Sequence, residues 1–366
     1  MRPGRPDYLL LAGITLLLLF GLVVLSSASV VESQEDFGSG VGYLVRQLGY
    51  GVGVGLIGFF IASRIPYQKL RPLAPLFLIG ALVLLVLVFL PGVGVALGGA
   101  RRWASFGPLR FQPAEVAKLG FILYVASWFE ARERHLHKFW ESLGPFLLLV
   151  GVFGALLLLQ PNLGTFGILA LTALAMLFLA GGRFRHLATI VAAGVGLLFL
   201  AIRLAPYRLN RLLAFLDPSR DPQGIGYQIS QALLAIGSGG LFGRGLGHSV
   251  QKFNYLPEAV GDSIFAILVE ELGLIGGAVL IALFLFIGYR GFMIAKRAPD
   301  SFGRLLAGGI TSWILIQAFV NIAAISGLIP LTGVPLPFVS YGGTSLAVLL
   351  TAVGILANVS KYARRA

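Results

Sequence analysis

The feature that most constrains this chain is a series of apolar runs, each about as long as a lipid bilayer is thick. A hydrocarbon core of about 30 Å requires about 20 apolar residues in a helix that crosses it. Hydrophobic residues make up 57% of the 366-residue chain and charged residues only 12%, which is too little charge to cover a soluble protein. The sequence therefore predicts an all-α polytopic membrane protein.

About ten transmembrane helices are predicted. They lie near residues 8–28, 43–62, 72–91, 113–130, 143–160, 163–181, 185–204, 263–290, 304–327 and 338–360. No polar stretch is long enough for a separate globular domain, so residues 1–366 are expected to form a single integral membrane domain. We interpret the first run as a helix rather than a signal peptide, because no convincing cleavage site follows it.

The basic residues of the short loops predict the orientation of these helices. They precede the first helix and follow every second one: Arg2, Arg5, Arg64, Lys69, Arg71, Arg132, Arg134, Lys138, Arg183, Arg185, Arg290, Lys296, Arg297, Arg304, Lys361, Arg364 and Arg365. Because positive charge accumulates in cytoplasmic loops, both termini are predicted to be cytoplasmic. This topology explains the net charge of +13, so membrane lipids, and no nucleic acid, are the expected surroundings.

Two outer segments depart from this pattern. The loop at 91–112 carries Arg101, Arg102 and Arg110 on the side where basic residues are scarce. These arginines indicate an anionic partner, either a pyrophosphate, whose oxygens match the guanidinium fork, or anionic lipid headgroups. The outer loop at 205–262 is the longest connection, and a structureless loop of that length is unusual. We expect it to contain short helices and a function.

The fourth predicted helix begins with a charged pair. Pro113 suits the first helical position and Glu115 suits the first turn. Glu115 and Lys118 are three residues apart, so they share one helix face. Two interpretations explain this spacing equally well. The pair is either a local ion pair at a well-capped helix start or a contribution to an anion site.

Acidic residues cluster where the outer loop meets the eighth predicted helix. Asp262 precedes Ser263 at the helix start, an arrangement typical of an N-cap. Glu270 and Glu271 lie about two turns inside, where ionisable residues face a polar cavity or a partner charge. Neighbours on a helix point about 100° apart, so only one of the two is expected to share a cavity with Asp262. Buried ion pairs explain both glutamates equally well.

Several other chemistries find no support in the sequence. The chain has no cysteine, and its histidines, at 135, 137, 186 and 248, form no zinc-binding pattern. No serine-hydrolase elbow is present. The glycine-rich run at 237–247 lacks the Lys-Ser/Thr of a P-loop, and we interpret it as backbone that folds tightly over a site. The Gly/Pro-broken stretch at 333–343 must be buried in protein or line a cavity.

These segments occur together, in order, in one known family. The matching stretches are 101–103, 112–118, 160–165, 227–228, 237–247, 255–258, 262, 270–273 and 337–343. On these residues the chain resembles the SEDS family (shape, elongation, division and sporulation) over nearly its whole length. The resemblance implies an inverting peptidoglycan glycosyltransferase that polymerises lipid II on the outer face of the bacterial cytoplasmic membrane.

The resemblance also implies roles for residues of this chain. Asp262 corresponds to the family's essential outer-loop aspartate, and Glu115 and Lys118 to its conserved pair on the fourth helix. We expect Asp262 to act as general base on the acceptor hydroxyl. Arg101, Arg102 and Lys118 would then stabilise the departing pyrophosphate, with Glu115 orienting Lys118.

Further candidates and partners follow from the same resemblance. The supporting candidates are Trp103, Gln112, Glu258, Glu270, Glu271 and Ser340. Glu258 is as well explained as a loop-holding residue. The implied partner is a class B penicillin-binding protein, a transpeptidase. A divalent cation, Mg²⁺ or Mn²⁺, is a candidate to assist the leaving pyrophosphate.

Some positions and alternatives qualify this hypothesis. The family usually has His-Thr-Asp-Phe where this chain has 260–263, and an Asp where Asn162 stands. The stretches 326–330 and 333–337 favour RodA-like elongation members, whereas 245–252 resembles the FtsW-like division members. A lipid II flippase and a scaffold for a transpeptidase are the alternative functions. The outer location of the charges favours external chemistry over a flippase.

Overall fold

The protein is a bundle of membrane-length helices with further short helices at one end. The structure is a computed structural model that describes residues 4–97, 100–107, 109–136, 139–203, 206–220 and 224–363. Its helices are α1 Tyr8–Ala28, α2 Val30–Phe37, α3 Gly42–Arg46, α4 Val54–Arg64, α5 Leu70–Leu87, α6 Pro113–Ala131, α7 Gly144–Leu159, α8 Leu163–Leu179, α9 Phe184–Arg203, α10 Pro206–Leu216, α11 Ile225–Gly239, α12 Ile264–Arg297, α13 Ser301–Ile325 and α14 Gly343–Tyr362. The π-helical stretch Gln47–Gly53 joins α3 to α4.

Helices occupy every one of the predicted membrane positions, which confirms the all-α polytopic fold. Within the described residues, seven helical spans are long and apolar enough to cross a membrane on length and composition alone. The helix α6 falls outside this set because it carries Glu115, Lys118 and Glu130. The core runs along α13 and α14, whose residues are the most completely buried of the long helices.

The two ends of the described chain lie together on one face, which we call the terminal face. Gly4 N donates to Lys361 O at 2.7 Å, and Arg290 pairs with the Asp7 carboxylate at 2.5 Å. This meeting of the chain ends requires the even number of crossings that the loop charges predict. We call the opposite end of the bundle the distal face.

Four of the basic residues used for this orientation lie outside the described residues. They are Arg2, Lys138, Arg364 and Arg365.

The loop at 91–112, predicted without regular structure, contains a small antiparallel sheet. Its strands are β1 Gly94–Leu97, β2 Ala100–Phe106 and β3 Leu109–Phe111, in the order β1-β2-β3. Because successive side chains of a strand point to opposite faces, Arg102 and Ala104 point inward while Arg101 is exposed. The sheet thus separates the two arginines that the sequence analysis grouped.

The predicted short helices of the outer loop are α10 and α11, joined through the 3₁₀ turn Pro218–Arg220. The helix α11 packs against α12. The loop after α11 pairs with a break in α12 at Gly273, where φ is 70° and ψ is −173°. Arg244 N donates to Glu270 O at 3.0 Å, and Leu274 N donates to Gly240 O at 2.9 Å. The glycine-rich run therefore supplies the backbone partners that the broken helix lacks.

Candidate active site

Asp262 lies at the distal end of α12, where α11 and α13 meet the helix. Its carboxylate accepts a hydrogen bond from Gln228 Nε2 of α11 at 3.4 Å. Its backbone carbonyl accepts one from Asn321 Nδ2 of α13 at 2.8 Å. The N-cap residue of α12 is Ser263, and neither it nor Asp262 makes a side-chain cap. The capping interpretation of Asp262 is therefore wrong, and its carboxylate contacts α11 instead.

The surroundings of Asp262 suit a proton acceptor. Burial of the half-buried carboxyl, together with the negative charge of Glu258, raises its pKa from 3.8 to about 7. The charge of Arg211 and the hydrogen bond from Gln228 act in the opposite direction. A general base works best when its pKa lies near the operating pH. Arg211, on α10, was not singled out from the sequence; it donates to Leu331 O at 3.3 Å.

Glu258 shapes the turn that leads to Asp262. Its backbone is left-handed, with φ 54°, and its carbonyl accepts hydrogen bonds from Gly261 N at 3.0 Å and Ser263 N at 3.1 Å. The Glu258 side chain is exposed. Burial also raises the pKa of Glu32 to about 7, and the charge of Glu258 adds to that rise. Glu258 thus holds the loop and contributes charge to the edge of the site.

The predicted pair on α6 is buried inside the bundle. Glu115 and Lys118 are 1% and 2% exposed, and Lys118 Nζ lies 2.8 Å from Glu115 Oε1. Lys118 Nζ also donates to Gln317 Oε1 of α13 at 2.7 Å and lies 5.1 Å from the centroid of the Trp313 ring. Glu115 Oε2 is buried and accepts no hydrogen bond from the described residues. The ammonium is therefore held in a fixed position by three neighbours.

The structure separates the roles of the two predicted phosphate-binding arginines. Arg102 Nε donates to Gln160 O at 3.3 Å, and its terminal nitrogen contacts Pro161 O. Arg102 therefore holds the turn between α7 and α8, in addition to any role toward a ligand. At the same turn Asn162 caps α8 by accepting from Thr165 N at 3.3 Å. Arg101 remains exposed on the sheet.

Three supporting candidates make contacts within the scaffold. Trp103 is half-buried and pairs with Val95 in the sheet. Gln112 precedes α6, and its N–H donates to Thr344 Oγ1 at 3.3 Å. Ser340 Oγ accepts from Leu336 N at 2.8 Å, which stabilises the broken stretch before α14. These contacts show that all three residues take part in holding the fold.

Glu270 and Glu271 anchor the outer loop rather than line the site. Glu270 Oε2 accepts from Ser249 Oγ at 2.5 Å, and Glu270 Oε1 accepts from Val250 N at 3.0 Å. Glu271 Oε1 pairs with Lys252 Nζ at 2.9 Å and accepts from Ser27 Oγ at 2.7 Å. Neither glutamate contacts Asp262 among these bonds. The expectation that one of them shares the cavity of Asp262 is not supported. The ion-pair interpretation fits both glutamates, because a terminal nitrogen of Arg244 lies 3.5 Å from Glu270 Oε1.

The described residues do not form a complete binding site for a metal ion. No three His, Asp or Glu side chains of the described chain come together in a way that could hold one. Magnesium is commonly held by one or two carboxylates together with substrate phosphates. A divalent cation that assists the leaving pyrophosphate stays a prediction.

Comparison with known proteins adds an independent line of support. A family model described as "Cell cycle protein" and labelled for FtsW, RodA and SpoVE matches residues 8–365. Stage V sporulation protein E of Bacillus subtilis is 42% identical over 363 residues, covering 99% of both chains. "Probable peptidoglycan glycosyltransferase FtsW" of Geobacter metallireducens is 42% identical over 356 residues, covering 97% of this chain and 95% of the relative.

A solved structure shares the fold. One chain of a peptidoglycan synthase complex, studied for its coordination of polymerization and crosslinking, superposes with a TM-score of 0.81 at 31% identity. The match covers 97% of each chain.

Proposed function

Because the chain belongs to the SEDS family, which comprises the FtsW, RodA and SpoVE proteins, we propose that it is a peptidoglycan glycosyltransferase. Its substrate is lipid II, a disaccharide-peptide joined to a lipid pyrophosphate. The observation that carries the proposal is Asp262, a half-buried carboxyl with a pKa near 7 at the distal end of the bundle. A buried ammonium, Lys118, is held in the same bundle through α13.

The reaction is a substitution at the anomeric carbon of the donor sugar. The acceptor hydroxyl oxygen attacks this carbon, and Asp262 takes the hydroxyl proton as the new C–O bond forms. The bond to the pyrophosphate oxygen breaks, and the lipid pyrophosphate leaves with the electron pair. Attack opposite the leaving group inverts the configuration. General-base assistance of this kind is worth about 10²–10⁴ in rate.

Positive charge is needed where the pyrophosphate departs. Arg101, Arg102 and Lys118 supply it, and Arg102 does so from its position beside the α7–α8 turn. Glu115 holds Lys118 through their 2.8 Å contact. Arg211 is a further source of positive charge at the site, because its charge lowers the pKa of Asp262.

The distal face is placed outside the cytoplasmic membrane in this proposal. The basic loops lie at the terminal face, and positive charge favours the cytoplasmic side. Lipid II would then be polymerised on the extracytoplasmic side. The partner is a class B penicillin-binding protein, supported by the similarity to a complex that couples polymerization to crosslinking.

We propose a biological role other than the elongation role that the stretches 326–330 and 333–337 favour. The relatives described above carry the names FtsW and stage V sporulation protein E. We therefore favour a role in division or sporulation for this chain.

A polymerisation assay tests the proposal. Purified protein with its transpeptidase partner is given fluorescent lipid II, and glycan chains are resolved on a gel. Asp262→Asn is expected to lower the rate at least 100-fold, whereas Asp36→Asn, an exposed acid on α2, serves as the matched control. Undiminished polymerisation by Asp262→Asn would rule out the general base. Lipid II movement across vesicles without chain formation would favour the flippase.

A further inference from the structure

The helix α13 carries two buried amides on one face. Gln317 and Asn321 are 0% and 1% exposed, and they are four residues apart, so they lie one above the other on the helix. Burial of an amide is unfavourable unless its donors and acceptor find hydrogen-bond partners. Two such residues in a membrane helix therefore need polar partners. The partners they have are parts of the proposed site.

Gln317 connects the ammonium of α6 to the broken stretch before α14. Its Oε1 accepts from Lys118 Nζ at 2.7 Å and from Trp313 Nε1 at 2.9 Å. Its Nε2 donates to Pro335 O at 3.0 Å. With both ends of the amide engaged, the orientation of the side chain is fixed. Lys118 is thereby tied to the backbone at Pro335.

Asn321 makes the corresponding connection to Asp262. Its Nδ2 donates to Asp262 O at 2.8 Å and to Val334 O at 2.8 Å. Both protons of this nitrogen are used, so the amide orientation is again fixed. Asn321 Oδ1 is buried and accepts no hydrogen bond from the described residues. The two amides therefore hold the consecutive carbonyls of Val334 and Pro335.

The segment between the two amides needs this support. Gly333 has a left-handed backbone with φ 66°, and Pro335 has no N–H to donate. The stretch forms neither a helix nor a strand, so it lacks a regular ladder of hydrogen bonds. A Cβ on Gly333 would lie 3.9 Å from Asp262 Oδ2, which places this backbone directly against the carboxylate.

We propose that Gln317 and Asn321 are positioning residues, forming a two-amide bridge that sets the place of Asp262 relative to the Lys118 ammonium. The inference rests on the proposed glycosyltransferase function. The bridge spans four parts of the chain, namely α6, the start of α12, α13 and the broken stretch. Loss of either amide releases the shared stretch at 334–335, so Asp262 and the Lys118 ammonium both move. A displacement of about 1 Å at a reacting group can cost about 100-fold in rate.

Three variants test the bridge in the lipid II polymerisation assay. Gln317→Met keeps the side-chain length and removes the amide, and Asn321→Leu keeps the volume. Each is expected to lower kcat about 10- to 100-fold while KM for lipid II stays within about threefold, because the interaction acts on geometry in the transition state. The double variant is expected to lose no more than the more affected single variant, because both amides hold one segment.

Asn358 on α14 provides the matched control. It is also a buried asparagine with two backbone hydrogen bonds, accepting from Tyr67 N at 2.9 Å and donating to Ser63 O at 2.8 Å. These bonds lie near the terminal face, away from Asp262. Asn358→Leu is expected to lower the melting temperature and to leave kcat per folded molecule unchanged. Rates are normalised to monodisperse protein, and Gln317→Leu and Asn321→Ser replace any variant that does not fold.

The outcomes separate the bridge from the proposed function. If the wild type polymerises lipid II and Gln317→Met retains its kcat, the bridge is refuted while the glycosyltransferase stands. Additive losses in the double variant, or an equal loss of kcat in Asn358→Leu, would assign the amides a purely structural role. A rise in KM at constant kcat would also overturn the proposal. A wild type that forms no glycan refutes the proposed function and the bridge with it.

Discussion

The break in α12 at Gly273 permits a quantitative prediction for Gly273→Ala. With φ 70° and ψ −173°, Gly273 occupies a region of backbone conformation that is essentially restricted to glycine. A Cβ at this position would lie 2.3 Å from Leu241 O and 2.4 Å from Gly243 N. Both of these atoms are backbone, so the glycine-rich loop must move to accommodate the methyl group.

The cost has two parts. The backbone conformation itself costs alanine about 1–3 kcal/mol. Moving the loop also weakens the backbone bonds across the break, in which Arg244, Gly245, Leu274 and Ile275 donate to Glu270, Glu271, Gly240 and Leu241 at 2.9–3.2 Å. Each bond is worth about 0.5–1.5 kcal/mol. Loss of all four together with the conformational strain would lower the free energy of unfolding by about 3–9 kcal/mol.

Thermal unfolding of the purified protein in detergent measures this effect. Gly237→Ala is the matched control, because Gly237 lies in α11 with nothing within 4 Å of an added Cβ and a helical alanine is favoured over glycine by about 0.5–1 kcal/mol. The control is expected to melt at the wild-type temperature or slightly above. A Gly273→Ala protein that melts with the control would refute the account of the break. It would show that the loop adapts without losing its bonds.

Three further substitutions test the charges of the site and of its anchor. Because the pKa of Asp262 is about 7 and a general base works in its ionised form, kcat/KM should fall as the pH decreases through 7. Glu258→Gln removes a charge that raises this pKa, so it should move the acid limb of the pH–rate profile to lower pH. Arg211→Gln removes a charge that lowers the pKa, so it should move the limb to higher pH. Acid limbs that stay in place in both variants would argue against Asp262 as the titrating group. Lys252→Met leaves Glu271 buried without its partner and should lower the free energy of unfolding by about 3–5 kcal/mol, measured in the same melting assay. Replacing both residues with apolar ones should recover most of this loss. An unchanged melting temperature in the single variant would show that the pair contributes nothing.

The membrane architecture was predictable because the length of an apolar run is set by the thickness of the bilayer. The short strands at 91–112 were not, since they carry no long alternating pattern and β2 contacts the distant α7–α8 turn through the Arg102 side chain. The turn contact of Arg102 was missed for the same reason. It joins residues about sixty positions apart, and no local spacing encodes it.

The bridging amides of α13 leave a signal in the sequence. Gln317 and Asn321 interrupt an apolar run at a spacing of four, which places both on one helix face. Polar residues on one face of a membrane helix point to a protein interior or a cavity. The hydrogen-bond partners of the two amides could not be inferred from the sequence. These partners are the carbonyls of Pro335, in the broken stretch, and of Asp262, at the start of α12, and no local spacing relates them to α13.

The hydrogen bonds of the buried acids distinguish structural from reactive carboxylates more sharply than their positions in the sequence do. Both oxygens of Glu270 accept close hydrogen bonds, at 2.5 Å from Ser249 and at 3.0 Å from Val250. A carboxylate whose two oxygens both accept such bonds has little room left to bind a substrate hydroxyl. The Asp262 carboxylate accepts from Gln228 at a long 3.4 Å, while its burial raises its pKa to about 7. On this difference in hydrogen bonding we propose Asp262, rather than Glu270, as the acid that takes the proton from the substrate hydroxyl, while Glu270 anchors the outer loop.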